Sequence, residues 1–248
     1  MIYVGIDLHR KRSQLTALAE DGSELLSRKV ANEPEALTAI FAELGDEASV
    51  ALEATFGWEW LAELLEAEGH ELHLAHPLRT RAIAAARVKT NAIDARTLAH
   101  LLRTDLLPQA YVAPRELRDL RSLLRHRVAL THMRSALKNR VHAVLAAHGL
   151  QRPYQRLFGP NGRRFLAQLE LREPPRRRLD SLLRLVDDFD REIELVRREI
   201  DTLAEHDPRV DVLTQLKGIG PYTALLVIAE AGDVDRFPSA RHFCSYAG

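Results

Sequence analysis

The chain holds a single cysteine, Cys244, among 248 residues. A lone thiol excludes a disulfide framework and any zinc site built on paired cysteines. No apolar run approaches the roughly 20 residues that a membrane-spanning helix needs. The N-terminus, MIYVGIDLHRKRSQ, places Asp7 and a basic cluster where an export signal would carry its apolar core. These absences predict a cytoplasmic protein with no membrane partner. Net charge is lacking too, since 35 basic residues meet 35 acidic ones. The balance is uneven along the chain: residues 1–105 carry 11 basic and 17 acidic groups, 106–179 carry 16 and 4, and 180–248 carry 8 and 14. The basic middle is nearly all arginine, whose planar fork binds phosphate oxygens in pairs, so a polyanion is the natural partner. A solvated basic helix face is the blander reading of the same run.

What is present is a normal core-forming mixture, 46% apolar and 28% charged. MIYVGIDLH and then SQLTALAEDGSELLSRKVAN read as three short strands, with Asp21-Gly22 as the hairpin turn between the second and third. Leu37, Ile40, Phe41 and Leu44 have the spacing of one helical face, and SVALEA is a short buried strand. A helix from about Trp58 to Glu68, the strand ELHLAH, and a helical stretch after Pro77 follow. The order β-β-β-α-β-α-β-α predicts an α/β domain with a mixed sheet covered by helices, ending near Asp105.

Beyond Pro114 the pattern is almost wholly helical. A basic helix covers about 115–148, and from Leu179 the apolar positions Leu182, Val186, Phe189, Ile193, Val196, Ile200 and Leu203 alternate steps of three and four, a coiled-coil seam. Such helices form either an antiparallel pair or a dimer stalk. The stretch between them, GLQRPYQRLFGPNGRR, reads as a connector or a nucleic-acid-facing loop rather than core. A third unit, VLTQLKGIGPYTALLVIAEAG, sets two apolar helices around Gly218 and Gly220, with Pro221 suited to a first turn. This helix–hairpin–helix offers free N–H groups to a phosphate, although a plain helical hairpin has the same spacing. The boundaries expected are 1–105, 106–206 and 207–248.

Three acids stand out: Asp7 closes the first strand, Glu53 closes VALE, and Asp94 lies one turn after Asn91 on a helix. Each alone reads equally as a solvated loop starter. In a sheet of this order, however, the ends of the first and fourth strands can lie side by side, with one face of a following helix laid over them. Gathered carboxylates repel unless a cation holds them, and oxygen ligands favour magnesium or manganese. Two such ions about 4 Å apart serve phosphodiester chemistry by activating the attacking oxygen and stabilising the leaving one. Arg87 and Lys89 stand just upstream, where they would hold a nucleic-acid backbone.

At these residues the sequence resembles a known family. YVGIDLHR, LEATFGWE and RVKTNAIDARTLAHLL resemble the three motif blocks of the DEDD insertion-sequence transposases, and LKGIGPYTALLVIAEAGDVDRF resembles the start of that family's C-terminal domain. The resemblance implies a RuvC-like, ribonuclease-H-type N-terminal domain followed by an all-α coiled-coil region and a helix–hairpin–helix. It implies a DNA recombinase of a mobile element, with a magnesium or manganese site, a dimerising coiled coil, a guide RNA, and target and donor double-stranded DNA. The assembly expected is a homo-oligomer, dimer or tetramer. By matching position, Asp7, Glu53 and Asp94 would be the first, second and fourth acids and metal ligands, and Asn91 stands where the family has its third. The amide oxygen can still ligate, but the site loses a negative charge. The family also implies a nucleophilic serine downstream of the helix–hairpin–helix; the sequence ends at CSYAG, and neither Ser239 nor Ser245 matches that motif.

The nucleic-acid-binding candidates are Arg87, Lys89, Gly218, Gly220, the shared helical face of Arg118, Arg121 and Arg125, and further along Arg134, Lys138 and Arg140. Two rival functions remain: a RuvC-like nuclease, which Asn91 speaks against, and a non-catalytic RNA- or DNA-binding scaffold derived from a transposase. A sugar kinase or actin-like ATPase, which GIDLH also resembles, would need a second glycine-rich phosphate loop, and none is present. His70, His73 and His76 recur along one stretch and are read as half-exposed polar strand positions rather than a metal triad. Trp58 and Trp60 are read as packing residues.

Overall fold

The computed structural model describes residues 1–45, 47–55, 57–83, 91–151 and 153–248. The chain divides into two compact units, Met1–Val112 and Ala113–Gly248.

The first unit is a six-stranded mixed sheet in the order β3-β2-β1-β4-β5-β6. Its strands are β1 (Ile2–Asp7), β2 (Arg12–Leu18), β3 (Glu24–Ala31), β4 (Ala48–Glu53), β5 (Glu71–Ala75) and the short β6 (Gln109–Ala110). β1, β4 and β5 run parallel, while β2, β3 and β6 are antiparallel to their neighbours. The two-residue β6 lies beyond the expected domain end at Asp105 and is too short to leave a periodic signal.

Alternation along the strands produces two packed faces. On one, Val4, Ile6, Leu15, Val50, Leu52 and Leu74 bury against Leu37, Ile40 and Phe41 of α1 (Pro34–Leu44) and Leu61 and Leu65 of α2 (Glu59–Ala67). Trp58 and Trp60 pack on the edge of this core, as read from the sequence. The opposite face is built from small residues. Ala51 and Ala75 meet Leu98, Leu101 and Leu102 of α4 (Asn91–Arg103), each buried leucine contributing about 1.5–3 kcal/mol. Gly5 lies under the same helix: a Cβ there would sit 1.9 Å from the Ala95 carbonyl oxygen and 2.6 Å from the Ala99 nitrogen. Only glycine lets the helix backbone rest on the strand, and that contact fixes where Asp94 comes down.

In the second unit, α5 (Arg115–Ala147) and α7 (Pro175–Glu205) form an antiparallel pair. Leu124 and Leu130 pack with Ile193, Val196 and Ile200, whereas Val141 and Leu145 pack with Leu179 and Leu182. Of the two arrangements the seam allowed, the pair is the one formed within the chain. Leu179, Leu182, Val186, Ile193, Val196 and Ile200 are all buried in the protomer, while Leu203 stays 43% exposed.

The stretch 149–164, expected to be a connector rather than core, is corrected by the structure. Leu157 is buried in the cluster with Val141 and Leu179, and the end of the stretch begins α6 (Pro160–Gln168). A Cβ on Gly162 would lie 2.0 Å from the Leu157 carbonyl oxygen, so this glycine permits close packing rather than flexibility. The turn-forming composition hid three apolar side chains, Leu150, Leu157 and Phe158, that pack at the end of the helix pair.

α8 (Pro208–Thr214) and α9 (Pro221–Ala231) form the anticipated helical hairpin, with Gly218 at φ 95° and Pro221 in the first turn of α9. Asp207 caps α8 by accepting from the Arg209 N–H at 3.0 Å. A 3-10 turn (Val234–Arg236) and α10 (Ala240–Ala247) complete the unit. Among the described residues no helix is long and apolar enough to cross a membrane.

Candidate functional site

Asp7 and Glu53 end neighbouring parallel strands, and the register pairs Ile6 with Leu52, the residue before each acid. Both acids therefore point to the α4 side of the sheet, at its carboxyl end. There Asp7, Glu53 and Asp94 line one cavity of about 250 Å³, together with Pro77, Leu78, Thr80 and Arg81 of α3 (Pro77–Ile83) and Thr97 and Leu98 of α4. The His9 imidazole stands 3.0 Å from a carboxylate oxygen of Asp7.

Asn91 is the first residue of α4, is exposed, and is not among the residues lining the cavity. One turn separates it from Asp94. Arg87 and Lys89 lie outside the described residues.

An all-oxygen donor set suits a hard divalent ion. Even so, among the described residues no three His, Cys, Asp or Glu side chains are gathered tightly enough to chelate one. The carboxylates thus flank a shared space without forming a finished coordination shell. The histidines form no alternative: the Ala48 N–H donates to His70 Nδ1 at 3.2 Å, and His73 faces Glu71 and Gln109.

The arginines expected on a nucleic-acid face have protein acceptors. Arg118 is buried and donates to the Ala113 carbonyl at 3.0 Å. Arg121 donates to the carbonyls of Ala229 at 2.6 Å and Glu230 at 3.1 Å. Arg125 forks onto the Glu230 carboxylate at 2.8 and 2.9 Å. These carbonyls belong to the last turn of α9, where helical acceptors lack intrahelical partners and the dipole attracts cations. Arg236 and Tyr246 serve the same end, donating to Ala231 at 2.9 Å and Glu230 at 3.1 Å. Arg134 pairs with Asp190 at 2.8 Å. Lys138 lies over the Phe158 ring, and burial, reinforced by the Arg134 charge, holds its ammonium below the usual lysine range. Arg140 is exposed. Gly218 and Gly220 face open space, where an added Cβ would meet no atom within 4 Å.

Sequence reasoning missed Thr80, Arg81, Thr97 and Leu98 as cavity residues. Thr97 was accessible to it, standing three positions after Asp94 on the same helix face; Thr80 and Arg81 were not, because only the fold brings α3 to this cavity.

Two sequence families match the chain: a DEDD transposase family of the IS110 type over residues 4–149, and the transposase IS116/IS110/IS902 family over 210–248. The chain belongs to the IS110/IS116 family of DEDD transposases. A putative transposase of Sinorhizobium fredii is 28% identical over all of this chain and 71% of its own length. The transposase for insertion sequence element IS1328 of Yersinia enterocolitica is 26% identical over 99% of this chain and 72% of its own length. A probable family 20 transposase of Pseudomonas aeruginosa is 28% identical over 80% of this chain and 60% of its own length. Another putative transposase of Sinorhizobium fredii is matched over 46% of its length, so the chain spans about half to three quarters of these relatives. Membership in this DEDD family places the chain among DNA-recombining enzymes that generally use divalent metal ions, and the mixed sheet followed by helices is the RuvC-like arrangement that the resemblance implied.

Proposed function

We propose that this DEDD transposase chain binds a guide RNA and double-stranded DNA and takes part in strand exchange of a mobile insertion sequence, through a divalent-metal site formed by Asp7, Glu53 and Asp94. The observation that carries the reading is the convergence of these three carboxylates, from β1, β4 and α4, on one cavity. Magnesium or manganese held there would polarise a phosphodiester oxygen. The protein's own part is to aim three oxygen donors at one space from a rigid sheet and to draw them together once an ion neutralises their repulsion. Asn91 would stand at the rim as a neutral donor. The open hairpin at Gly218 and Gly220 offers backbone N–H groups to a phosphate. Oligomerisation as a dimer or tetramer would use surfaces other than the buried α7 seam.

Isothermal titration with manganese tests this reading. The chain should bind the ion, Asp7→Ala should abolish binding, and Asn91→Asp should tighten it. No binding, or full binding by Asp7→Ala, would remove the metal role. A second reading, a non-catalytic nucleic-acid-binding scaffold, is favoured by Asn91 standing off the cavity wall; it requires RNA retention without manganese binding.

A further inference from the structure

The helical unit contains a half-buried lysine without a carboxylate partner. Lys138 of α5 holds its ammonium 5.1 Å from the centre of the Phe158 ring, which packs against the cluster containing Val141 and Leu157. Among the described residues it makes no hydrogen bond or ion pair, because the nearby acids serve arginines: Asp190 accepts from Arg134, one turn earlier on α5, and Asp187 accepts from Arg163 of α6. The Arg163 guanidinium stands 6.0 Å from the centre of the same ring, and the His142 ring meets it at 5.6 Å, nearly perpendicular. Around Phe158 there are thus Lys138, Arg134 and His142 from α5, Arg163 from α6, and Asp187 and Asp190 from α7. Burial disfavours the ammonium and the Arg134 and Arg163 charges add to that, while Asp190 opposes them; the balance lies below the usual lysine range.

A lysine nitrogen that lacks an acceptor and is pushed towards its neutral form is a nucleophile. Lys138 Nζ has no hydrogen-bond partner, yet it is not sealed from solvent. The local excess of cations over carboxylates, within a segment of 16 basic and 4 acidic residues, favours an anionic electrophile over a neutral one. We propose that Lys138 is a modification site, acylated by a small acyl phosphate such as acetyl phosphate. The Nζ lone pair forms a C–N bond to the carbonyl carbon, the bond from that carbon to the phosphate oxygen breaks, phosphate leaves with the electron pair, and the nitrogen proton passes to solvent. The product is a neutral amide. It removes a charge that burial already penalises, breaks no ion pair, and leaves the aliphatic stem on Phe158.

Incubation of the full chain with acetyl phosphate, followed by peptide mass spectrometry at each lysine, tests the proposal. Near neutral pH, Lys138 should acetylate several-fold faster than the exposed Lys11, Lys29 and Lys217 of the same molecule. Its half-maximal rate should fall below pH 10.5, the ordinary lysine value. Arg134→Gln removes a like charge and frees Asp190 to pair with Lys138, so it should slow acetylation there about threefold while leaving the exposed lysines unchanged. An uncharged reagent, the acetyl ester of N-hydroxysuccinimide, separates the two parts of the argument: preference for Lys138 should be smaller with it than with acetyl phosphate. Acetylation of Lys138 no faster than that of the exposed lysines would overturn the proposal, as would a half-maximal rate at or above pH 10.5. So would an unchanged rate in a folded Arg134→Gln variant, or equal preference with the uncharged ester. If Arg134→Gln fails to fold, the comparison among lysines of the unmodified chain decides by itself.

Discussion

In the helical unit Arg121, Arg125 and Arg134 direct their donors at the end of α9 and at Asp190, whereas in the α/β unit Asp7, Glu53 and Asp94 face a common cavity from three separate elements. Both sets are conspicuous as charge in the sequence. They differ in what lies within reach. A long helix packed along its whole length brings its arginines against carbonyls and carboxylates of its own unit, so much of its charge goes into holding helices together. At the carboxyl ends of β1 and β4 the acids, besides their own local partners such as His9 beside Asp7, border a common cavity. A local surplus of one sign therefore identifies a binding surface only after the intramolecular acceptors have been counted.

The largest effect that would test this comparison is on the α/β side. Gly5→Val should destabilise the chain by more than about 3 kcal/mol and abolish manganese binding, since any side chain there drives into the Ala95 carbonyl. Urea unfolding measures it, and a midpoint like that of the unmodified protein would show that α4 does not rest on β1 as described.

A smaller effect separates the two roles of arginine. Arg121→Ala should cost about 1–3 kcal/mol, because it strips acceptors in the last turn of α9 of a charged donor. Arg140→Ala, at an exposed position, should change stability by no more than about 0.5 kcal/mol while lowering nucleic-acid affinity. Paired thermal melts and filter binding decide it; equal stability losses would erase the distinction.

The smallest effect is the pH response of the arginine-paired acids in the helical unit. Hydrogen bonds from Arg176 hold Asp180 below its ordinary value of 3.8, those from Arg209 do the same for Asp207, and Arg197 with Arg198 lower Glu194 from 4.5 to about 2. The stability these pairs contribute is present above the ordinary carboxylate values and is lost as pH falls through the lowered ones. Thermal melts should therefore show the helical unit weakening progressively below about pH 4, with Glu194→Gln flattening the lowest part of the profile. A profile unchanged by that substitution would show that the exposed pair contributes nothing.

Much of the fold was legible because its signals are local. The Asp21-Gly22 turn, the spacing of Leu37, Ile40 and Phe41, and the seam from Leu179 to Ile200 each depend on a few neighbouring residues, and each forms the expected element. The stretch 149–164 was misread because glycine and proline mark turns in isolation, while here Gly162 permits close contact and Leu157 fills a core formed by distant residues. At the cavity, Asp7, Glu53 and Asp94 were visible as residue types at element ends. Thr80 and Arg81 carried no such mark.

What the sequence determined by itself was periodicity, element type and the inventory of charged groups, because backbone propensity and side-chain alternation act over a few residues. What only the tertiary structure decided was which distant groups those charges meet and which of them border one cavity. That outcome depends on contacts between residues far apart in the chain, such as Gly5 under Ala95 and Arg121 at the end of α9, and no local pattern encodes them.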